Sequence, residues 1–295
     1  MPAAICHTLL AQRLMETPYG KRQCLMRDAF LWGAQGPDFL FSHRFFPWQK
    51  GESLASYGEK LHQLKPAVTL EYMRGYLREQ SADEATRSYI LGFLTHYAFD
   101  SIAHPFIQYG AEMLHQQIEP STLETCHNEI EAVLDIILLR YETAQLPTDF
   151  PLKKAVPKNE QVYAAMVKLY EELFIKLFHR GHCGRQLRQA ILDCRTAFGW
   201  MTDRTSLKKQ LAQRIERRRH VPPTISSHVR PMTEQDEYDY ANILHAEWQW
   251  PMDGKEVHTE SFLDLFEQAV DLAQRLMEGF EQGENLEALT GNRSF

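Results

Sequence analysis

Residues 92–105 read GFLTHYAFDSIAHP, and within them His96, Asp100 and His104 recur at every fourth position. That interval stacks three side chains on one face of an α-helix and does not match the two-residue alternation of a strand. The residues between them are apolar, with Phe93, Leu94, Tyr97, Phe99, Ile102 and Ala103 surrounding the three polar positions. A helix that is hydrophobic nearly all round belongs in the interior. Two imidazoles and a carboxylate carried inside are costly unless a cation or dense hydrogen bonding satisfies them. Neutral imidazole and carboxylate oxygen are the ligands that zinc and related divalent ions take in hydrolytic sites.

A second set, His127, Glu131 and Asp135, repeats the same interval, and seven of the thirteen histidines fall within the first 127 residues. Further donors lie upstream. His7 sits in the short amphipathic segment ICHTLLA, residues 5–11. Asp38 closes GAQGPD, residues 33–38, a turn whose glycines let the backbone approach another element and aim a carboxylate. His43, in the aromatic loop SHRFFPW, and His62, after GEKL, compete for one further place. The six later histidines, His179, His182, His220, His228, His245 and His258, lack this pairing and read as surface or satisfied residues.

Apolar residues recur at three- and four-residue intervals over 4–15, 20–35, 53–80, 82–110, 121–143, 160–180, 184–219 and 261–281, which predicts an all-α chain. Ser53, Ser81, Ser121 and either Thr259 or Ser261 are candidate helix caps, and Glu124 stands at capping-box distance from Ser121. Breaks are expected at Gly36-Pro37, Phe46-Pro47, Glu119-Pro120, 146–157 and 221–232. The stretch 146–157 divides a ligand-rich helical core, residues 1–145, from C-terminal helices, 158–295, packed on it in one continuous domain.

The chain has 295 residues, 44% hydrophobic and 24% charged, the balance of a globular protein with a sizeable core. A formal charge of -7 gives no overall attraction to nucleic acid or to an anionic membrane, and no stable nucleic-acid partner is expected. Arg217, Arg218 and Arg219 end a helix, where cations complement the dipole, and read as a solvated terminus. Five cysteines without a C-x-x-C pair indicate neither a disulfide framework nor a thiolate zinc site. Without a basic start leading into a continuous apolar run, or a stretch long enough to span a bilayer, the expected location is the cytoplasm.

His7, the turn ending at Asp38, the run 92–105 and the pair His127 and Glu131 in HNEIE together resemble the zinc-dependent phospholipase C domain of bacteria. That family shares a helical superfamily with single-strand-specific zinc nucleases, and the resemblance covers roughly residues 1–140. It implies a multi-helix bundle with an extra C-terminal helical part. It also implies a cluster of two or three zinc ions, or another divalent metal. One ion would be held by Asp38, His62 or His43, His96 and a bridging Asp100, a second by His104, His127 and Glu131, and a third position by His7 with Asp100. The implied activity is phosphoester hydrolysis, with Asp38 as the catalytic carboxylate and a phosphoester, including phospholipid, as substrate. Arg44 and Lys60 are cations that could meet a phosphate. Phe39, Phe41, Phe45, Phe46 and Trp48, and later Trp248 and Trp250, either close the core or receive part of the substrate. Three rival readings stand beside this one, the first a nuclease-type phosphodiesterase. A helical phosphohydrolase class that places His and Asp adjacent is weakened because the chain contains no His-Asp dipeptide. A non-catalytic metal-binding protein on the same scaffold would have its coordination closed by protein ligands.

Overall fold

The computed structural model describes residues 3–46, 48–79, 83–230, 238–252, 254 and 256–295. Its described residues form α-helices and short 3-10 turns, with one isolated antiparallel bridge between Trp248 and His258 and no strand. The chain is an all-α bundle. Its hub is α6, Glu84–His115, whose 32 residues extend about 48 Å at the usual rise per residue. Asp83 caps its start by accepting from the Thr86 amide. Around α6 pack α1 (Ala4–Glu16), α3 (Arg27–Ala34), α7 (Leu123–Thr143), α8 (Glu160–Phe178) and α11 (Phe262–Gln282).

Helix α3 crosses α6 with backbone against backbone, and two glycines allow it. A Cβ on Gly33 would overlap the Tyr89 carbonyl, and one on Gly92 would overlap the Phe30 carbonyl. With both side chains absent, the two backbones touch and the turn after α3 is delivered to the middle of α6. Tyr89 fixes that turn by donating its hydroxyl to the Gly36 carbonyl at 2.9 Å.

Three helical stretches expected to be continuous are interrupted. Residues 20–35 divide into α2 (Pro18–Arg22) and α3, and 53–80 into α4 (Ala55–Gln63) and α5 (Pro66–Glu79). Likewise 184–219 divides into α9 (Gly184–Met201) and α10 (Leu207–Arg219). The middle break has a simple cause: Leu64 is extended at ψ 150°, and the residue between it and Pro66 is biased away from helix. Between α9 and α10 the chain passes through extended Thr202 to left-handed Ser206.

Capping also differs in detail. At α7 the box is built by Thr122 and Thr125, one residue beyond the expected Ser121 and Glu124, because Ser121 instead donates its hydroxyl to the Ile118 carbonyl. Leu54 stands at the N-cap of α4, while Ser53 accepts from the Ala55 amide and donates to the His43 carbonyl. Ser261 caps α11 with Asp264, and the Ser81 position lies outside the described residues. After residue 145 the chain is packed: Leu152, Ala155 and Val156 are buried, and Trp32 donates to the Pro157 carbonyl at 2.9 Å. A short helix, α12 (Leu286–Thr290), and the residues after it return to α5 and α6. Among the described residues no helix is long and apolar enough to cross a membrane.

Candidate metal centre

Helix α6 projects His96, Asp100 and His104 from one face, and the neighbouring elements aim their polar side chains at that face. Asp100 is central: its Oδ1 lies 3.3 Å from His7 Nε2, and its Oδ2 lies 3.2 Å from His96 Nε2 and 4.0 Å from His62 Nε2. Asp38 Oδ1 lies 3.2 Å from His62 Nε2 and 4.0 Å from His96 Nε2. One turn further along α6, His104 Nε2 and the α7 residue His127 Nε2 converge on Glu131 Oε1 at 3.7 and 3.2 Å. Among the described residues three groups therefore have ligand atoms close enough to share a cation: His7, His96 and Asp100; Asp38, His62 and His96; and His104, His127 and Glu131.

Each approach has a local cause. Gly36 has a φ of +53°, and a Cβ there would run into the His96 imidazole, so the turn carrying Asp38 passes against the ring only because glycine stands at that point. Gln35 donates to the Ala4 carbonyl and the Thr8 hydroxyl, joining α1 to the same turn. Pro105 follows His104 within α6 and has no amide to give the Ser101 carbonyl, loosening the helix where its last donor faces outward.

Burial sets the electrostatics. Desolvation would raise Asp100, but His96, His104 and His7 override it and hold the carboxyl well below its ordinary range. Asp38 is likewise raised by burial and lowered more strongly by its surroundings, including the hydrogen bond with His62. Glu131 is depressed by His127 and His104 against the same desolvation. Among the histidines, burial pushes His96 down to about 4, leaving the ring neutral and its nitrogen available. Burial also opposes protonation of His104, yet Asp100 and Glu131 raise it to about 9.

The residues present fit divalent cations. Nε2 of His96 and Oε2 of Glu131 are buried without a hydrogen-bond partner. Such atoms are rare in native interiors, and here they occur among depressed carboxylates and imidazoles, the donor chemistry of zinc.

Two candidate residues, His43 from the aromatic loop and Asp135 with its helical spacing, are directed elsewhere. His43 belongs to none of the three groups; its Nδ1 accepts from the Leu54 amide at 3.0 Å, which turns the ring into the α4 junction. Asp135, one turn beyond Glu131, is fully buried and structurally engaged: Oδ1 accepts from the Ile5 and Cys6 amides at 3.0 and 2.8 Å. Its Oδ2 accepts from Arg230 Nε and Nη2 at 3.0 and 2.6 Å. The carboxylate thus caps the start of α1 and pairs with a buried arginine. The candidate phosphate cations are also occupied, since Arg44 donates to the Glu52 carbonyl and Lys60 lies over the Tyr57 and Phe178 rings.

One site residue lacked a sequence signal. Phe295 is 9% exposed, and its ring centroid lies 5.2 Å from that of His62 and 6.0 Å from that of His96. It also lines a cavity of 420 Å³ that includes His104, Ser101, Trp250 and Arg293. No periodicity brings a residue nearly two hundred positions away onto the α6 histidines. In the aromatic loop, Phe39 and Phe46 are buried, whereas Trp48 is 73% exposed and stacks on Phe46. Trp248 is buried against His258.

The zinc dependent phospholipase C family profile matches residues 6–190, a span that includes all three groups. The chain belongs to the zinc dependent phospholipase C family. No curated protein and no solved structure shows a match. Membership agrees with the resemblance drawn from His7, the Asp38 turn and the 92–105 run. The cavity walls contributed by Trp250, Arg293 and Phe295 lie beyond the matched residues.

Proposed function

We propose that this member of the family is a metal-dependent phosphoesterase of the phospholipase C type, with two or three zinc ions held by His7, Asp38, His62, His96, Asp100, His104, His127 and Glu131. The observation that carries this reading is the convergence of three donor groups on α6 next to an open cavity with His104 in its wall. A purely structural metal site is closed by protein, whereas a hydrolytic one leaves room for water and substrate. That favours an enzyme over a non-catalytic scaffold.

Bound zinc would lower the pKa of a water and neutralise charge growing on the phosphoryl oxygens. The protein supplies the remainder. Asp100 presents one oxygen to His7 and the other to His96, fixing the relative positions of the two imidazoles. Asp38, partly exposed and 3.2 Å from His62, is the carboxylate we assign to take the proton of a nucleophilic water. Phe295 and the buried flank of α6 exclude bulk solvent, strengthening these interactions.

The test combines metal analysis with hydrolysis of a chromogenic phosphodiester and of phospholipid, each with and without chelator. We expect stoichiometric zinc, activity abolished by chelation and restored by zinc, and diacylglycerol as the lipid product. His96→Ala and Glu131→Ala should lose metal and activity together. Unchanged metal content in both variants contradicts the ligand assignment, and full zinc with no hydrolysis of any phosphoester contradicts the enzyme reading.

A further inference from the structure

Helix α10 is packed inside out. Its inward positions are Lys209, Ala212 and Glu216, whereas Leu207, Leu211 and Ile215 point to solvent with 65%, 60% and 43% of their surface exposed. The inward charges are satisfied. Lys209 Nζ donates to both Glu129 oxygens at 3.0 Å and to the Val229 carbonyl at 2.8 Å. Glu216 accepts from the Ile225 and Ser226 amides and from the Ser226 hydroxyl. These buried ion and hydrogen-bond contacts lock the helix in the orientation that turns its apolar stripe outward. A surface helix ordinarily does the reverse.

Leu207, Leu211 and Ile215 are four residues apart and form one continuous line, and Val221 and Ile225 in the turn that follows are 41% and 48% exposed. Beside that line stand Arg214, Arg217, Arg218 and Arg219, all exposed, in a chain whose formal charge is -7. Arginine stems flanking an apolar stripe can lie along acyl chains while their guanidinium groups reach lipid phosphates. We propose that α10 and the turn after it form an interfacial docking face for an anionic lipid bilayer. The charge pattern argues against a second copy using the same face, because a two-fold contact would set arginines against arginines. This proposal does not depend on the phosphoesterase reading.

The experiment is vesicle co-sedimentation of the full chain with chelator present throughout, so that binding is measured without hydrolysis. Vesicles of phosphatidylcholine alone are compared with vesicles that also contain phosphatidylglycerol, at low and high salt. The parent should bind the anionic vesicles and be released by salt. The variant Leu207→Gln/Leu211→Gln/Ile215→Gln should bind at least about tenfold more weakly. The variant Arg214→Gln/Arg217→Gln/Arg218→Gln/Arg219→Gln should bind about a hundredfold more weakly or worse. Both sets replace exposed side chains, and melting temperatures near the parent's establish that each variant is folded. Equal binding by parent and variants overturns the proposal, as does absence of parent binding or equal affinity for neutral vesicles. A parent that is dimeric without lipid, and monomeric when the stripe is replaced, also overturns it. So does a parent that needs an acidic protein to sediment with the vesicles.

Discussion

Asp100 illustrates how one carboxylate organises a site. Its two oxygens face different imidazoles, so removing it loosens more than one donor group. Asp100→Asn should lower zinc affinity by at least about a hundredfold, more than the loss of an outer-shell partner, measured by competition with a chromophoric chelator. Asp135 has the same spacing on α7 but the opposite expectation. Asp135→Asn leaves Arg230 buried without its counter-charge and should destabilise the fold by about 3–5 kcal/mol. Denaturant unfolding should show that loss equally in zinc-loaded and zinc-free protein. A loss confined to the loaded form would mark Asp135 as a ligand after all. The interval i, i+4, i+8 identified both carboxylates in the sequence; it could not distinguish them, because the partners of Asp135 come from α1 and from Arg230, 95 positions away.

Helices α6 and α7 were legible because their donors and their apolar residues share a short period. The divisions at 23–26, 64–65 and 202–206 were not, since amphipathic spacing continues across a bend while the backbone obeys proline and tertiary packing. The turn carrying Asp38 was legible through its glycines, although the reason for Gly36 emerges only in contact with His96. Gly36→Ala should cost on the order of 2 kcal/mol through left-handed strain and overlap with the imidazole, and should reduce zinc content as His96 is displaced. Thermal melting together with metal analysis checks both effects, and an alanine variant with parental stability and zinc content would refute the close approach. Phe295 was illegible because its role arises from the chain's return to α6. Phe295→Ala should enlarge the cavity and shift KM more than kcat for phosphodiesters with bulky leaving groups. Unchanged kinetics on small and bulky substrates alike would exclude it as a wall of the substrate site.

Across the whole molecule, the site concentrates ionisable groups that the bundle must tolerate when zinc is removed. In the zinc-free protein His104 is raised from an ordinary value near 6.5 to about 9, so its imidazolium stabilises the fold fully below the lower value and that contribution fades as pH rises through the upper one. Zinc-free protein should therefore melt at a lower temperature at pH 10 than at pH 6, and the zinc-loaded form should lack this decline. Zinc uptake near pH 7 should release protons, visible as a buffer-dependent heat in calorimetry. A zinc-free protein whose melting temperature rises between pH 6 and 10 would contradict the His104 assignment. The most direct test of the convergent metal cluster is anomalous diffraction at the zinc absorption edge from crystals of the purified protein. Peaks are expected among His62, His96, Asp38 and Asp100 and beside His104, His127 and Glu131; peaks only at His43, Asp135 or the later histidines, or none at the α6 groups, would contradict it.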